Sequence, residues 1–125
     1  MRDHVSDTDA VRAVVQLYVD GVRSGDMALL TRAFHPDAQM YGRFNGQLVN
    51  MPIVKFIENA KGMPPPAKSG EDYRATISAI ELSGDAAVAT LKEVNFQGAD
   101  FVDFFTLQHS AGEWKIVNKT FNQLR

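Results

Sequence analysis

Cysteine is absent from this 125-residue chain, and histidine occurs only three times. The lack of cysteine excludes disulfides, thiol nucleophiles and thiolate metal sites, and it agrees with the cytoplasmic location that we predict. No two histidines show metal-ligand spacing, and no H-E-x-x-H motif occurs. We therefore expect neither a metal nor a cofactor.

An excess of basic residues is missing as well. Thirteen Lys and Arg face fifteen Asp and Glu, for a net charge of -2, which argues against a nucleic-acid binder. No apolar run approaches the ~18 residues that a membrane-spanning helix needs. The opening "MRDHVSDTDA" is polar and acidic, so we expect no signal peptide.

The residues that are present suit one globular domain, which we place at 1–125. Apolar residues make up 45% and charged residues 22% of the chain. A chain of this length is expected to bury a single core.

Helical signals dominate the first half. Ser6 with Asp9 resembles a capping box, Gly25 ends the first predicted helix, and Asp26 can cap the second. The first helix has an apolar stripe at three- and four-residue steps: Val11, Val14, Val15, Tyr18 and Val22. Pro36 then disfavours helix, and a short strand is predicted at 38–44.

A turn at Asn45-Gly46 follows, and Asn50 is predicted to cap a third helix that ends before Gly62. The second half alternates as strands do, with turns between them. We predict strands at 73–82, 86–96, 101–109 and 114–121. Helices followed by an antiparallel meander indicate an α+β fold, with the helices on one face of the sheet.

The predicted strands are apolar on both faces. Phe105 shares a face with Asp103, whereas Val102 and Phe104 share the other. Three helices cover only one face, so we predict a homodimer through the outer face. The alternative is that the outer apolar side chains are scattered and exposed, which is ordinary in monomers.

Four segments resemble the nuclear transport factor 2-like (SnoaL-like) superfamily, in particular its putative lumazine-binding branch. They are "YVDGVRSGD", "RAFHPDAQMYG", "FVDFFTLQ" and "GEWKIVNKTF". The resemblance spans nearly the whole chain. It implies a cone-shaped, curved antiparallel sheet wrapped around three N-terminal helices, with an internal pocket for a small ligand.

A narrower resemblance links the chain to ketosteroid isomerase. Tyr18 matches the tyrosine of that family's oxyanion hole, and Asp103, followed by Phe105, matches its protonated aspartic acid. The family's general base falls on Gly42, which has no side chain. The resemblance therefore supports two hydrogen-bond donors without a base, and steroid isomerisation is not expected.

Asp103 and Tyr18 are the first candidates for a site, whether ligand-binding or catalytic. Strand interiors rarely carry Asp, so Asp103 is predicted either to anchor a ligand or to be satisfied by a neighbour. The Tyr18 hydroxyl needs a partner when buried, and we expect that partner to be Asp103. Strict alternation places Asn118 on the cavity wall and Lys119 outside, although Asn118 bonded to backbone is an equal alternative.

Other candidates are weaker. Glu93 is predicted to be either a displaced acid–base group or, as the favoured alternative, a solvent-facing side chain. Apolar residues predicted to line the pocket, with ordinary core as the alternative, are Met40, Phe44, Phe56, Ile57 and Phe105.

Three functions remain open from the sequence. The first is a protein that binds a small, partly apolar ligand, such as a lumazine-like heterocycle, without cofactor or metal. The second is an isomerase, dehydratase or cyclase that uses Asp103 and Tyr18. The third is a protein-interaction module.

Overall fold

The computed structural model describes residues 4–125 and the side chains of residues 5–125. Four helices are present in this range: α1 (His4–Ser24), α2 (Met27–Ala33), α3 (Ile53–Ala60) and α4 (Pro66–Ser69). Six strands complete the fold: β1 (Phe34–Phe44), β2 (Gln47–Pro52), β3 (Arg74–Ser83), β4 (Ala86–Phe96), β5 (Ala99–Ser110) and β6 (Glu113–Gln123). The predicted α+β class is confirmed.

The strands form one curved, unclosed sheet in the order β2-β1-β6-β5-β4-β3. Four of its five pairings are antiparallel, among them the three of the predicted meander, and the pairing of β1 with β6 is parallel. This exception arises because the two strands lie far apart in the chain and no hairpin fixes their relative direction.

The helices pack on one face of the sheet, α1 against β3, β4 and β6, and α3 against β1 and β2. The apolar stripe of α1 is buried there, including Val11, Val15 and Tyr18. As predicted, Asp26 caps α2, because its carboxylate accepts a hydrogen bond from the backbone N–H of Ala28 at 3.0 Å. None of the helices within residues 4–125 is long and apolar enough to cross a membrane.

The region between α2 and α3 differs from the prediction. β1 begins at Phe34, so His35 and Pro36 lie at the start of a strand. Asn50 does not cap α3. It lies in β2, opposite Tyr41 of β1, and Pro52 occupies the N-cap position. The Asn45-Gly46 turn joins β1 to β2, as an Asn-Gly hairpin should, and this hairpin holds Asn50 in the sheet.

β6 contains an irregularity that decides which side chains face the helices. Thr106 of β5 pairs with Asn118, but the next residue, Leu107, pairs with Ile116, so Val117 is an extra residue in β6. Such a β-bulge reverses the alternation of the strand beyond it. Ile116 faces inward before the bulge, and Lys119 and Phe121 face inward after it.

Candidate functional site

A cavity of about 210 Å³ lies between α3 and the sheet. Its wall is mostly apolar, and its polar side chains are Asn59, Glu93, Gln97 and Lys119. The apolar wall comprises Met40, Phe44, Val49, Met51, Phe56, Ala60, Met63, Phe96, Phe101 and Phe121. An apolar cavity with a few convergent polar groups is the usual form of a small-ligand site.

Lys119 is the cation of this cavity and is only 3% exposed. Its Nζ donates a hydrogen bond to the Tyr18 hydroxyl at 2.8 Å. Four aromatic rings surround the same atom, with centroids between 4.6 Å (Phe56) and 5.7 Å (Phe96) away. The faces of aromatic rings stabilise a cation electrostatically, which compensates part of its lost hydration.

Two carboxyl groups meet next to this cation. Leu91 pairs with Asp103 and Glu93 pairs with Phe101, so Glu93 and Asp103 lie diagonally on the same inner face of β4 and β5. Both are buried, Glu93 at 1% and Asp103 at 0% exposure. Glu93 reaches the cavity wall, whereas Asp103 lies behind it.

The surroundings of the carboxyl pair favour a proton on Glu93. Within the described residues, neither oxygen of Asp103 nor Oε1 of Glu93 has a hydrogen-bond donor. Two carboxylates cannot donate to one another, but a proton on one turns the contact into a hydrogen bond. Burial, then the charge of Asp103 and a hydrogen bond with it, raise the pKa of Glu93, whereas Lys119 and Tyr73 act in the opposite direction.

Two tyrosines complete the cluster. Tyr73, immediately before β3, donates its hydroxyl to Oε2 of Glu93 at 2.5 Å. Burial raises the pKa of both Tyr18 and Tyr73, and the nearby carboxyl groups raise it further, so both stay protonated at neutral pH. With Glu93 protonated, the ammonium of Lys119 would face a single negative charge in this cluster.

Some of the residues predicted from the sequence lie where they were expected. Met40, Phe44 and Phe56 are on the cavity wall. Tyr18 and Asp103 were expected to line the pocket as well, but both are fully buried behind its wall, Tyr18 beneath Lys119 and Asp103 beside Glu93. The expected hydrogen bond between Tyr18 and Asp103 does not form, because the Tyr18 hydroxyl is taken by Lys119.

Three further residues that were predicted to line the pocket lie elsewhere. Phe105 is fully buried in the core, where its ring packs against Tyr18 with centroids 5.0 Å apart. Ile57 points away from the cavity, toward an open groove between α2 and α3. Asn118 is also off the wall, and its side chain accepts a hydrogen bond from the exposed Thr120. The bulge at Val117 is the reason, since it exchanges the faces expected for Asn118 and Lys119.

Sequence reasoning missed the two polar groups that reach the cavity from the sheet. The sequence favours a solvent-facing Glu93, yet Glu93 shares the inner face with Leu91, and the alternation of β4 is the signal that indicates this. Lys119 was assigned to the outside, and the bulge that turns it inward has no marker such as glycine or proline in β6. Across residues 4–125, no three His, Cys, Asp or Glu side chains are grouped to hold a metal ion.

Comparison with known proteins assigns the chain to a family. The sequence model of the putative lumazine-binding family matches residues 6–122, nearly the whole chain. The chain therefore belongs to that family, and the resemblance recognised in its motifs is confirmed.

Individual relatives cover the chain from end to end. Aldolase FrzH from Cladobotryum sp is 28% identical over 125 residues, covering 98% of this chain and 97% of that protein. An NTF2-like protein of unknown function from Methylobacillus flagellatus is 27% identical, with a TM-score of 0.88 and coverage of 99% and 97%. Another from Shewanella baltica, 24% identical with a TM-score of 0.88 and coverage of 100% and 99%, shares the fold.

Proposed function

We propose that this family member binds a small, mostly apolar carbonyl compound in the cavity and moves a proton at the carbon next to the carbonyl group. The observation that carries the proposal is the buried Glu93–Asp103 pair, set beside Lys119 on an otherwise apolar wall. The similarity to an aldolase over the whole chain supports it, since aldol chemistry begins with removal of such a proton.

The cavity favours a compact ligand. At about 210 Å³, it is larger than the ~150 Å³ of an apolar cavity that holds one benzene molecule, which suits a molecule built on one small ring. The aromatic and methionine wall would contact the ring. The carbonyl oxygen would be directed to Lys119, because an ammonium stabilises the negative charge that grows on that oxygen.

The carboxyl pair would supply the base. A pair that holds a single proton offers one carboxylate and one carboxylic acid, so it can both take and return a proton. Glu93 reaches the wall and would contact the substrate, while Asp103 would act through Glu93. Asp103 is thus a positioning residue here, and Glu93 replaces the base that has no counterpart at Gly42.

Proton exchange in heavy water tests this function. With cyclohexanone as the probe ketone, we expect the protein to accelerate deuterium incorporation at the carbons beside the carbonyl, followed by nuclear magnetic resonance. Glu93→Gln should lower the accelerated rate by at least ~10²-fold, the lower range for general acid–base catalysis. Glu81→Gln, which alters an exposed glutamate of β3, is the matched control and should exchange like the wild type.

Equal exchange with and without protein would reject the catalytic proposal, and so would full activity in Glu93→Gln. Ligand binding is measured separately by the shift in melting temperature with cyclohexanone or with lumazine. Lumazine also carries ring carbonyls, so the heterocyclic ligand expected from the sequence is compared in the same assay.

The outer face of the sheet supports a further proposal, the homodimer. Tyr41, Thr120 and Phe104 lie in register on neighbouring strands, which places them side by side on that face. Tyr41 is 46% and Phe104 45% exposed, and a second copy of the chain would cover them. The cytoplasmic location stays a prediction.

A further inference from the structure

Lys119 occupies a position that ordinary packing does not explain. A lysine is rarely buried this fully, and in this cavity wall methionine or leucine would fill the same volume without a charge. Its only hydrogen bond within the described side chains is the one to Tyr18, although an ammonium has three donors. The other neighbours of the nitrogen are four aromatic rings at the cavity.

We propose that Lys119 is a covalent nucleophile, whose Nζ forms an iminium ion with the carbonyl compound bound in the cavity. This inference rests on the proposed function and deepens it by naming how the carbonyl group is activated. An iminium withdraws electrons from the neighbouring carbon more strongly than a carbonyl does, so a carboxylate of ordinary basicity suffices to remove the proton.

The nucleophile must first be a neutral amine, and the carboxyl pair is the group of this site that would receive its proton. When the proton of the ammonium passes to the carboxyl pair, a buried cation and a buried anion are replaced by neutral groups. No charge enters or leaves the site, because the ammonium and the singly protonated pair already balance.

Formation of the iminium then requires only Lys119, the carboxyl pair and the bound carbonyl compound. The nitrogen of Lys119 attacks the carbonyl carbon, the π electrons move to oxygen, and a proton moves from nitrogen to oxygen to give a carbinolamine. Glu93 donates a proton to that hydroxyl, the carbon–oxygen bond breaks, and water leaves as the nitrogen lone pair forms the carbon–nitrogen double bond. The carboxyl pair is left with one negative charge beside the new cation.

The surroundings of the nitrogen suit the product. An iminium carries a delocalised positive charge, and the rings of Tyr18, Phe56, Phe96 and Phe121 are arranged around that atom. Aromatic faces attract organic cations after they lose water, as in the recognition of alkylammonium groups. The ionised carboxyl pair is then placed to take the proton next to the iminium carbon, which yields an enamine.

Reductive trapping tests the inference. The folded protein is incubated with cyclohexanone and sodium cyanoborohydride, which reduces an iminium to a stable amine, and the modified lysine is located by peptide mass spectrometry. We expect one cyclohexyl group on Lys119, formed faster than at any other lysine. Lys119→Met and Lys119→Arg should lose this adduct, the second while keeping the positive charge.

Lys115→Arg is the matched control, because Lys115 is on the same strand and donates to the backbone carbonyl of Arg32. It should keep the adduct at Lys119. Melting curves check that the variants fold, and the wild-type peptide map decides the matter even if a variant does not fold. Labelling of surface lysines alone, or no labelling, overturns the inference.

The two proposals fail in different ways. If cyclohexanone exchanges its protons on the protein while Lys119 takes no adduct, catalysis proceeds through an enolate and only the covalent step is wrong. If Lys119 takes the adduct without proton exchange, the amine is reactive as inferred and the proposed proton transfer is wrong.

Discussion

At the scale of single residues, the chemistry of this chain is concentrated in Glu93, Asp103 and Lys119. Each is at most 3% exposed, so each would be costly to bury alone. Together they form a balanced group, in which one proton serves two carboxyls and the ammonium offsets the remaining charge. Removing Lys119 would therefore leave a buried negative charge without its counterpart, which is a larger disturbance than the loss of one contact.

This arrangement predicts a pH dependence of stability. The pKa of Glu93 is raised in the folded protein above its ordinary 4.5, so the folded state keeps a proton that the unfolded chain releases. The stability that this proton contributes is fully present below pH 4.5. It is lost as the pH rises toward the raised pKa of Glu93 in the folded protein. The slope approaches at most about 1.4 kcal/mol per pH unit.

Glu93→Gln removes that titration. The free energy of unfolding of this variant should therefore increase relative to that of the wild type as the pH rises above 4.5. Urea unfolding over a pH series measures the difference. Asp103, Lys119, Tyr18 and Tyr73 face the same group and remain in both proteins. Glu81→Gln should follow the wild-type curve. Parallel curves for Glu93→Gln and the wild type would contradict the shared proton.

At the scale of elements, two strand features shape the cavity. The extra residue Val117 in β6 turns Lys119 inward, and the parallel pairing of β1 with β6 sets Gly42 beside Phe121. A Cβ at position 42 would lie 2.6 Å from the carbonyl oxygen of Phe121 and 2.7 Å from its ring. Phe121 thus occupies the space that an aspartate at this position would need, and the acid–base group that we propose, Glu93, lies on β4 instead.

Gly42→Ala is therefore expected to destabilise the protein by about 1–3 kcal/mol, the usual cost of overpacking. The measurement is the free energy of unfolding in urea. Gly62→Ala is the control, because a Cβ there meets nothing closer than 3.7 Å and the backbone is compatible with alanine. An unchanged stability in Gly42→Ala would mean that β1 and β6 are less closely packed than described.

At the scale of the molecule, the two faces of the sheet have different surroundings. Its inner face carries the core and the cavity, whereas its outer face is not covered by any helix within the described residues. Phe104 is at the centre of that outer face, beside Thr120 and, one strand further, Tyr41. The alternation that places Asp103 inside is the same alternation that places Phe104 outside.

The proposed dimer predicts the behaviour of one variant. Phe104→Lys should weaken self-association at least ~10-fold, because a charge replaces a central aromatic contact. Analytical ultracentrifugation over a concentration series measures this, and the melting temperature should change little. Val54→Lys is the control, since Val54 is 53% exposed but lies on α3, on the other side of the sheet.

A wild-type protein that sediments as a monomer at every concentration would refute the dimer. Dissociation caused by Val54→Lys rather than by Phe104→Lys would instead move the interface to the helical side.

The sequence by itself determined the elements whose signals are local. Alternation predicted β4 with its bounds, the carboxylate of Asp26 predicted the start of α2, and the motif around Asp103 indicated both the family and the strand that carries a buried acid. It also indicated Met40, Phe44 and Phe56 as residues of the cavity. These features depend on neighbouring residues and on the period of a single element.

The tertiary structure decided what depends on pairing between distant segments. The bulge at Val117 exists only in the register of β5 against β6, and it exchanged the roles expected for Asn118 and Lys119. The pairing of β4 with β5 set Glu93 diagonally to Asp103 and so made the two carboxyl groups neighbours. A group's protonation and reactivity follow from which charges surround it after folding, and those neighbours come from opposite ends of the chain.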